Sequence, residues 1–179
     1  MHPKLAKFGS YVWELVKVVA ISLAIVLPIR YFLVQPFYVK GASMEPNFHD
    51  YEYLIIDELS YRWRLPERTE VVVMRDPLEH SKFFIKRIIG LPGDTVLFDQ
   101  GDVYVNGILL DEAAYLAGTV ETLTVNGMNE VTLQDNEYFV MGDNRPASFD
   151  SRRFGAVDKS EFVGRVWVRA WPFTKFATY

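Results

Sequence analysis

Hydrophobic and polar positions divide the chain near residue 34. Leu15 to Val34 spans 20 residues, 16 of them apolar, about the length a helix needs to cross a hydrocarbon core of ~30 Å. Lys17 and Arg30 interrupt the run near its ends and leave an uncharged segment, Val18 to Ile29, of 12 residues. Three elements fit: a membrane anchor, a signal-peptide core and a core helix of a soluble domain. The anchor fits best. Basic side chains near the ends of a span reach the headgroups. Tyr11, Trp13, Tyr31 and Phe32 fall where interfacial aromatics are favoured, and Pro28 is tolerated near the end of a membrane helix. Against a cleaved signal peptide, the first small residues after Arg30 are Gly41 and Ala42, with no Ala-x-Ala before them.

Beyond Val34 the apolar runs are short, β-branched or aromatic, and punctuated by turn residues. Strands are predicted at 51–56, 70–74, 83–89, 95–98, 103–105, 108–110, 119–125, 130–133, 138–141 and 162–171. Asn106-Gly107 marks a two-residue hairpin and Asn126-Gly127 a second. Pro92-Gly93-Asp94 and Gly142-Asp143-Asn144 mark turns. Helical turns are expected at 61–65 and 111–116. The pattern describes a mostly β protein, an antiparallel sheet or partial barrel, preceded by one N-terminal transmembrane helix. Residues 1–34 form the tail and anchor, and residues 35–179 one β-domain.

Charge sharpens this division. Of 179 residues, 19 are Lys or Arg and 23 Asp or Glu. Lys4, Lys7, Lys17 and Arg30 against Glu14 give residues 1–34 a net +3, which leaves −7 for the rest. The positive-inside rule places the N-terminus in the cytoplasm and the acidic body outside. An acidic body argues against nucleic acid as a partner. The chain has no Cys, which excludes thiol nucleophiles, thiolate metal sites and disulfides.

Without Cys, the candidate nucleophiles are Ser and Thr. The usual base for Ser is His, but His2 lies in the tail, His49 in a turn and His80 in a charged loop, where each reads as a solvated surface residue. No HExxH or paired-His pattern points to a metal. The other base for Ser is a neutral Lys, which needs an apolar site. Lys86 meets this requirement within Phe83-Phe84-Ile85-Lys86-Arg87-Ile88-Ile89. Alternation puts it between Phe84 and Ile88 on one strand face. An edge-strand lysine placed against aggregation fits the same pattern. Gly41-Ala42-Ser43-Met44-Glu45-Pro46 offers a Ser in a tight turn, although turn serines are common. The segment 141–152 gathers polar side chains between aromatic flanks, as an ordinary loop of Asx turns also would.

Together these segments resemble the type I signal peptidases, membrane-anchored serine/lysine proteases, in their short Gram-positive form. The resemblance runs through the anchor, Ser43-Met44-x-Pro46, the strand from Glu70, Lys86-Arg87-Ile88-Ile89-Gly90-Leu91-Pro92-Gly93-Asp94, and Gly142-Asp143-Asn144-Arg145-x-x-Ser148-x-Asp150-Ser151-Arg152. It implies that Ser43 is the nucleophile and Lys86 the general base, with Ser148 orienting the lysine. Asp143, Arg145, Asp150 and Arg152 would shape the region, with Asp143 paired to Arg87. No metal or cofactor is implied. The Ser43 N–H would serve the oxyanion hole. Gly41 stands where Gram-negative relatives carry a second, hydroxyl donor, so the substitute would be a backbone N–H or water. Asn47 and Phe48 depart from the usual Thr and Leu, and Pro146-Ala147 from a polar pair. These departures bear on the hydrogen bonds of Ser148 and the shape of the substrate pocket.

The resemblance further implies that signal-peptide-bearing preproteins are the partners. Phe37, Val39, Met44, Phe84 and Ile85 would line shallow pockets for small side chains, and plain core packing is the competing role for all five. The expected location is the cell membrane, single-pass, with the catalytic domain extracytoplasmic. Val34 precedes Ser43 by nine residues, at most ~30 Å of extended chain, which holds the nucleophile near the membrane. Arg165, Trp167, Arg169 and Trp171 alternate onto one face, which suits either lipid headgroups or barrel packing. Two other readings compete: a self-cleaving serine/lysine protease, and an anchored non-catalytic β-domain that binds exported proteins. The oligomeric state is left open.

Overall fold

The computed structural model describes residues 3–32, 35–116, 120–125 and 127–179, and within the first helix the side chains of Gly9 and residues 11–27. That helix, α1 (Pro3–Phe32), has every described side chain exposed from Tyr11 to Leu27. Val12, Leu15, Val19, Ile21, Ile25 and Leu27 are all about half-exposed or more, so this stretch is not a core helix of the β-domain. No helix among the described residues is long and apolar enough to cross a membrane. The side chains of Lys4, Lys7, Pro28, Arg30, Tyr31, Phe32 and Val34 lie outside the described residues.

The body is antiparallel sheet throughout. Its strands are β1 (Gln35–Tyr38), β2 (Tyr53–Asp57), β3 (Val71–Arg75), β4 (Phe83–Gly90), β5 (Thr95–Asp99), β6 (Asp102–Val105), β7 (Ile108–Leu109), β8 (Glu130–Thr132), β9 (Glu137–Met141), β10 (Val157–Asp158), β11 (Phe162–Trp171) and β12 (Ala177–Thr178), with a short helix α2 (Ser151–Phe154) before β10. The larger sheet runs β1-β2-β11-β3-β4-β9-β10, with β12 on β11, and the smaller runs β7-β6-β5-β8. Asn106 and Gly107, both at positive φ, form the predicted turn between β6 and β7.

Alternation along β3 and β4 divides the core. Val71, Val73 and Ile85 pack with Val39, Met44, Phe48, Leu54 and Ile56. Val72, Met74, Phe84 and Ile88 pack with Tyr138 and Val140. Ile89, Phe139 and Met141 join Val96 and Phe98 of the smaller sheet. The nucleophile turn and the lysine strand are thus fixed to one interior.

Two expectations need correction, and a third lies outside the described residues. Residues 120–125 are not strand: the Thr122 hydroxyl accepts from Arg145, and Leu123 O accepts from Arg152. The backbone here bonds outside any ladder, with Leu123 O on Arg152 and the Thr122 N–H on Gly101 O. Thr119 and Asn126 lie outside the described residues, so the second hairpin does too. In β11, register shifts fall between Val166 and Val168 and between Arg169 and Trp171. These bulges break the alternation. Trp167 and Trp171 are exposed, whereas Arg169 turns inward against Glu52. A single Arg/Trp face does not form.

Candidate active site

Ser43 stands on the turn that follows β1. Gly41 enters that turn at φ +98°, a conformation glycine adopts without steric cost. Its N–H donates to Asp50 Oδ1 at 2.7 Å. Met44 and Phe48, both fully buried, root the turn in the core. From the opposite side, Asn144 donates its backbone N–H to Ser43 O and its Nδ2 to Ala42 O, each at 3.0 Å. Gly142 permits this approach: a Cβ there would lie 2.4 Å from Ser43 O and 2.3 Å from Ser148 Oγ. Among the described residues, the Ser43 N–H makes no hydrogen bond.

Lys86 lies on β4 opposite Val72 and is 2% exposed. Its Nζ donates to Ser43 Oγ at 2.9 Å and sits 5.3 Å from the centre of the Phe84 ring. Burial lowers its pKa from 10.5 to about 8; Asp150 and Asp143 pull it back up, and Arg152 adds to the lowering. The amine is therefore available as a base near neutral pH, as a solvated lysine is not.

The neighbouring charges pair among themselves. Arg87 grips Asp143 through Nε–Oδ1 at 2.8 Å and Nη2–Oδ2 at 2.7 Å, a bidentate geometry. Arg87 also donates to Thr69 O and lies over the Tyr115 ring. Asp150 accepts from Arg152 Nε and Nη2, both at 2.9 Å, and from Gly142 N. Burial alone would raise the Asp150 pKa, but the hydrogen bonds and charge of Arg152 hold it below the usual value. Arg145 donates to Gly142 O and pairs with Glu112. These ion pairs lock the 142–152 loop behind the dyad.

Ser148 lies buried behind the dyad, beside Gly142 and Asp150. Its hydroxyl makes no hydrogen bond to Lys86, and its proximity to Asp150 helps hold that carboxyl below its usual pKa. The Lys86 amine is directed at Ser43 Oγ, while Ser148 Oγ packs against Gly142. His80 pairs with Glu161, and His49 lies 3.6 Å from Glu52.

A cleft of about 110 Å³ opens at Ser43 and Lys86, with Phe37, Val39, Phe84 and Ile85 in its wall. Met44 is not part of that wall; it is core, 1% exposed. Phe48, completely buried, packs beside Arg169 and Tyr179, and Asn47 bonds away from the cleft. The departures at 47 and 48 therefore do not shape the pocket. Tyr38, Lys40 and Phe83 also border it and escaped the sequence reading, as did the pinning role of Asn144. The unbroken Gly142-Asp143-Asn144 run was the available signal.

A serine and a buried lysine in hydrogen-bond contact at the floor of a narrow apolar cleft are the working parts of a serine/lysine hydrolase. Comparison with known proteins carries this to a family. A family model described as signal peptidase, peptidase S26, matches residues 12–171. "Probable signal peptidase I-2" of Synechocystis sp. is 43% identical over 164 residues, covering 89% of this chain and 73% of that protein. "Signal peptidase IB" of Staphylococcus aureus is 33% identical over 171 residues, 88% of each. The crystal structure of a signal peptidase I from Enterococcus faecalis V583 aligns with TM-score 0.48 and 30% identity over 57% of this chain and 97% of that one. The chain belongs to the signal peptidase family, peptidase S26.

Proposed function

We propose that the protein is a type I signal peptidase: a serine endopeptidase that removes signal peptides from exported preproteins, with Ser43 as nucleophile and Lys86 as general base. The observation that carries the assignment is the 2.9 Å contact between Ser43 Oγ and the buried Lys86 amine. Neutral Lys86 takes the hydroxyl proton as Oγ attacks the scissile carbonyl. The resulting ammonium gives that proton to the leaving amine, and an acyl ester forms on Ser43. Lys86 then removes a proton from water, which attacks the ester and frees the enzyme. The free Ser43 N–H points to stabilisation of the oxyanion. Phe37, Val39, Phe84 and Ile85 leave room only for small substrate side chains. Asp143 with Arg87, and Asp150 with Arg152, hold the site's charges in pairs.

The same reading places residues 1–34 as a cytoplasmic tail and single membrane span, residues 35–179 as the extracytoplasmic catalytic domain, and lipid as a partner. Its support is the 16-of-20 apolar run and the exposure of α1 from Tyr11 to Leu27. Retention of the full chain in membranes after high-salt washing supports the span, and release into the soluble fraction contradicts it. The dyad is tested by the pH dependence of precursor cleavage. Lys86 must lose its proton to act, so kcat/KM should fall tenfold per unit as pH drops below about 8. A rate that is flat or rises toward pH 5 contradicts the assignment.

A further inference from the structure

Asn47 has no part in the mechanism above, yet its side chain joins three segments of the site. Its Nδ2 donates to Asp143 Oδ2 at 2.8 Å and to Tyr115 O at 2.6 Å. Its backbone carbonyl accepts from Arg169 Nη2 at 2.8 Å. The Asp143 carboxylate it reaches is the one gripped by Arg87, the residue next to Lys86 on β4. The two amide hydrogens of one side chain thus tie the nucleophile turn to the partner of the base-bearing strand and to the 111–116 segment.

We infer that Asn47 is a positioning residue, an amide clamp that sets Ser43 Oγ against the Lys86 amine; the inference rests on the dyad reading above. An amide NH₂ has two donors, and both are used here. Threonine has one donor and can hold one of the two partners. Aspartate would set a second carboxylate against Asp143.

The test compares full-length wild type, Asn47→Ala, Asn47→Thr and Asn47→Asp in detergent, each assayed on a signal-peptide precursor below its own unfolding temperature. Small misplacements of reacting groups are costly, so kcat in Asn47→Ala should drop by about tenfold to a hundredfold, with KM within about twofold. Asn47→Thr should fold and fall between Ala and wild type. Asn47→Asp should lower kcat and move the acid limb of the pH–rate profile upward, because Lys86 is faced by Asp150, Asp143 and Arg152 and a further negative charge favours its ammonium. A purely structural role would leave kcat of folded Asn47→Ala and Asn47→Thr unchanged. Wild-type kcat in folded Asn47→Ala or Asn47→Thr overturns the clamp, and so does failure of Asn47→Thr to fold. If wild type cleaves, Lys86→Ala does not, and Asn47→Ala matches wild type, the clamp alone fails. If Lys86→Ala also cleaves, the dyad reading fails.

Discussion

Replacing Lys86 by methionine should abolish turnover and, at neutral pH, make the protein more stable. The lysine is buried at 2% exposure and its pKa falls from 10.5 to about 8. That difference of 2.5 units, at about 1.4 kcal/mol each, is a folding penalty of about 3 kcal/mol at pH 7. Methionine fills a similar volume without a charge and forfeits the bond to Ser43, worth about 1 kcal/mol. The variant should therefore be more stable by about 2 kcal/mol at pH 7. The sign follows from proton counting. Between pH 8 and 10.5 the unfolded chain binds more protons at this lysine than the folded one, so wild-type stability rises with pH across that window. Above about pH 10.5 the penalty has gone, and wild type should lead by about 1 kcal/mol. Reversible urea unfolding of both full-length proteins in detergent, from pH 7 to 11, measures the difference, and groups that titrate in both cancel. A wild type more stable at pH 7, or a difference independent of pH, refutes the reasoning that burial lowers the Lys86 pKa.

A second prediction concerns close packing behind the nucleophile. Gly142→Ala places a methyl 2.4 Å from Ser43 O and 2.3 Å from Ser148 Oγ. Overpacking of this kind costs about 1–3 kcal/mol. The displaced turn should lower kcat by tenfold or more, in the range that about 1 Å of misplacement produces. Thermal unfolding together with cleavage kinetics checks both parts, and unchanged kcat would mean that the turn is held by other contacts.

How much of this was legible in the residues depends on how local each signal is. The strand of Lys86 was readable because Phe84 and Ile88 flank it at a period of two, and the structure keeps that alternation in its core clusters. The Asn106-Gly107 turn was readable from two adjacent residues. β1 was missed because four residues containing Pro36 carry too little periodicity, although the strand pairs along its whole length with β2. α2 is a single turn capped by Asp150, too short for a helical period. The inward turn of Arg169 depends on bulges set by pairing with β2, a non-local property. Ser43 and Lys86 were recoverable as a pair only through the resemblance, since 43 positions separate them and spacing alone does not bring them together. The Asn47 clamp reaches across 96 positions to Asp143, and no local pattern encodes that contact.

Cleavage of a signal-peptide precursor by full-length wild type, Ser43→Ala and Lys86→Ala, each shown to be folded, tests the central claim most directly. Wild type should release a mature protein whose sequenced N-terminus follows small residues one and three positions before the cut, while neither variant yields product. Near wild-type turnover by Lys86→Ala, or by Ser43→Ala, would contradict the dyad.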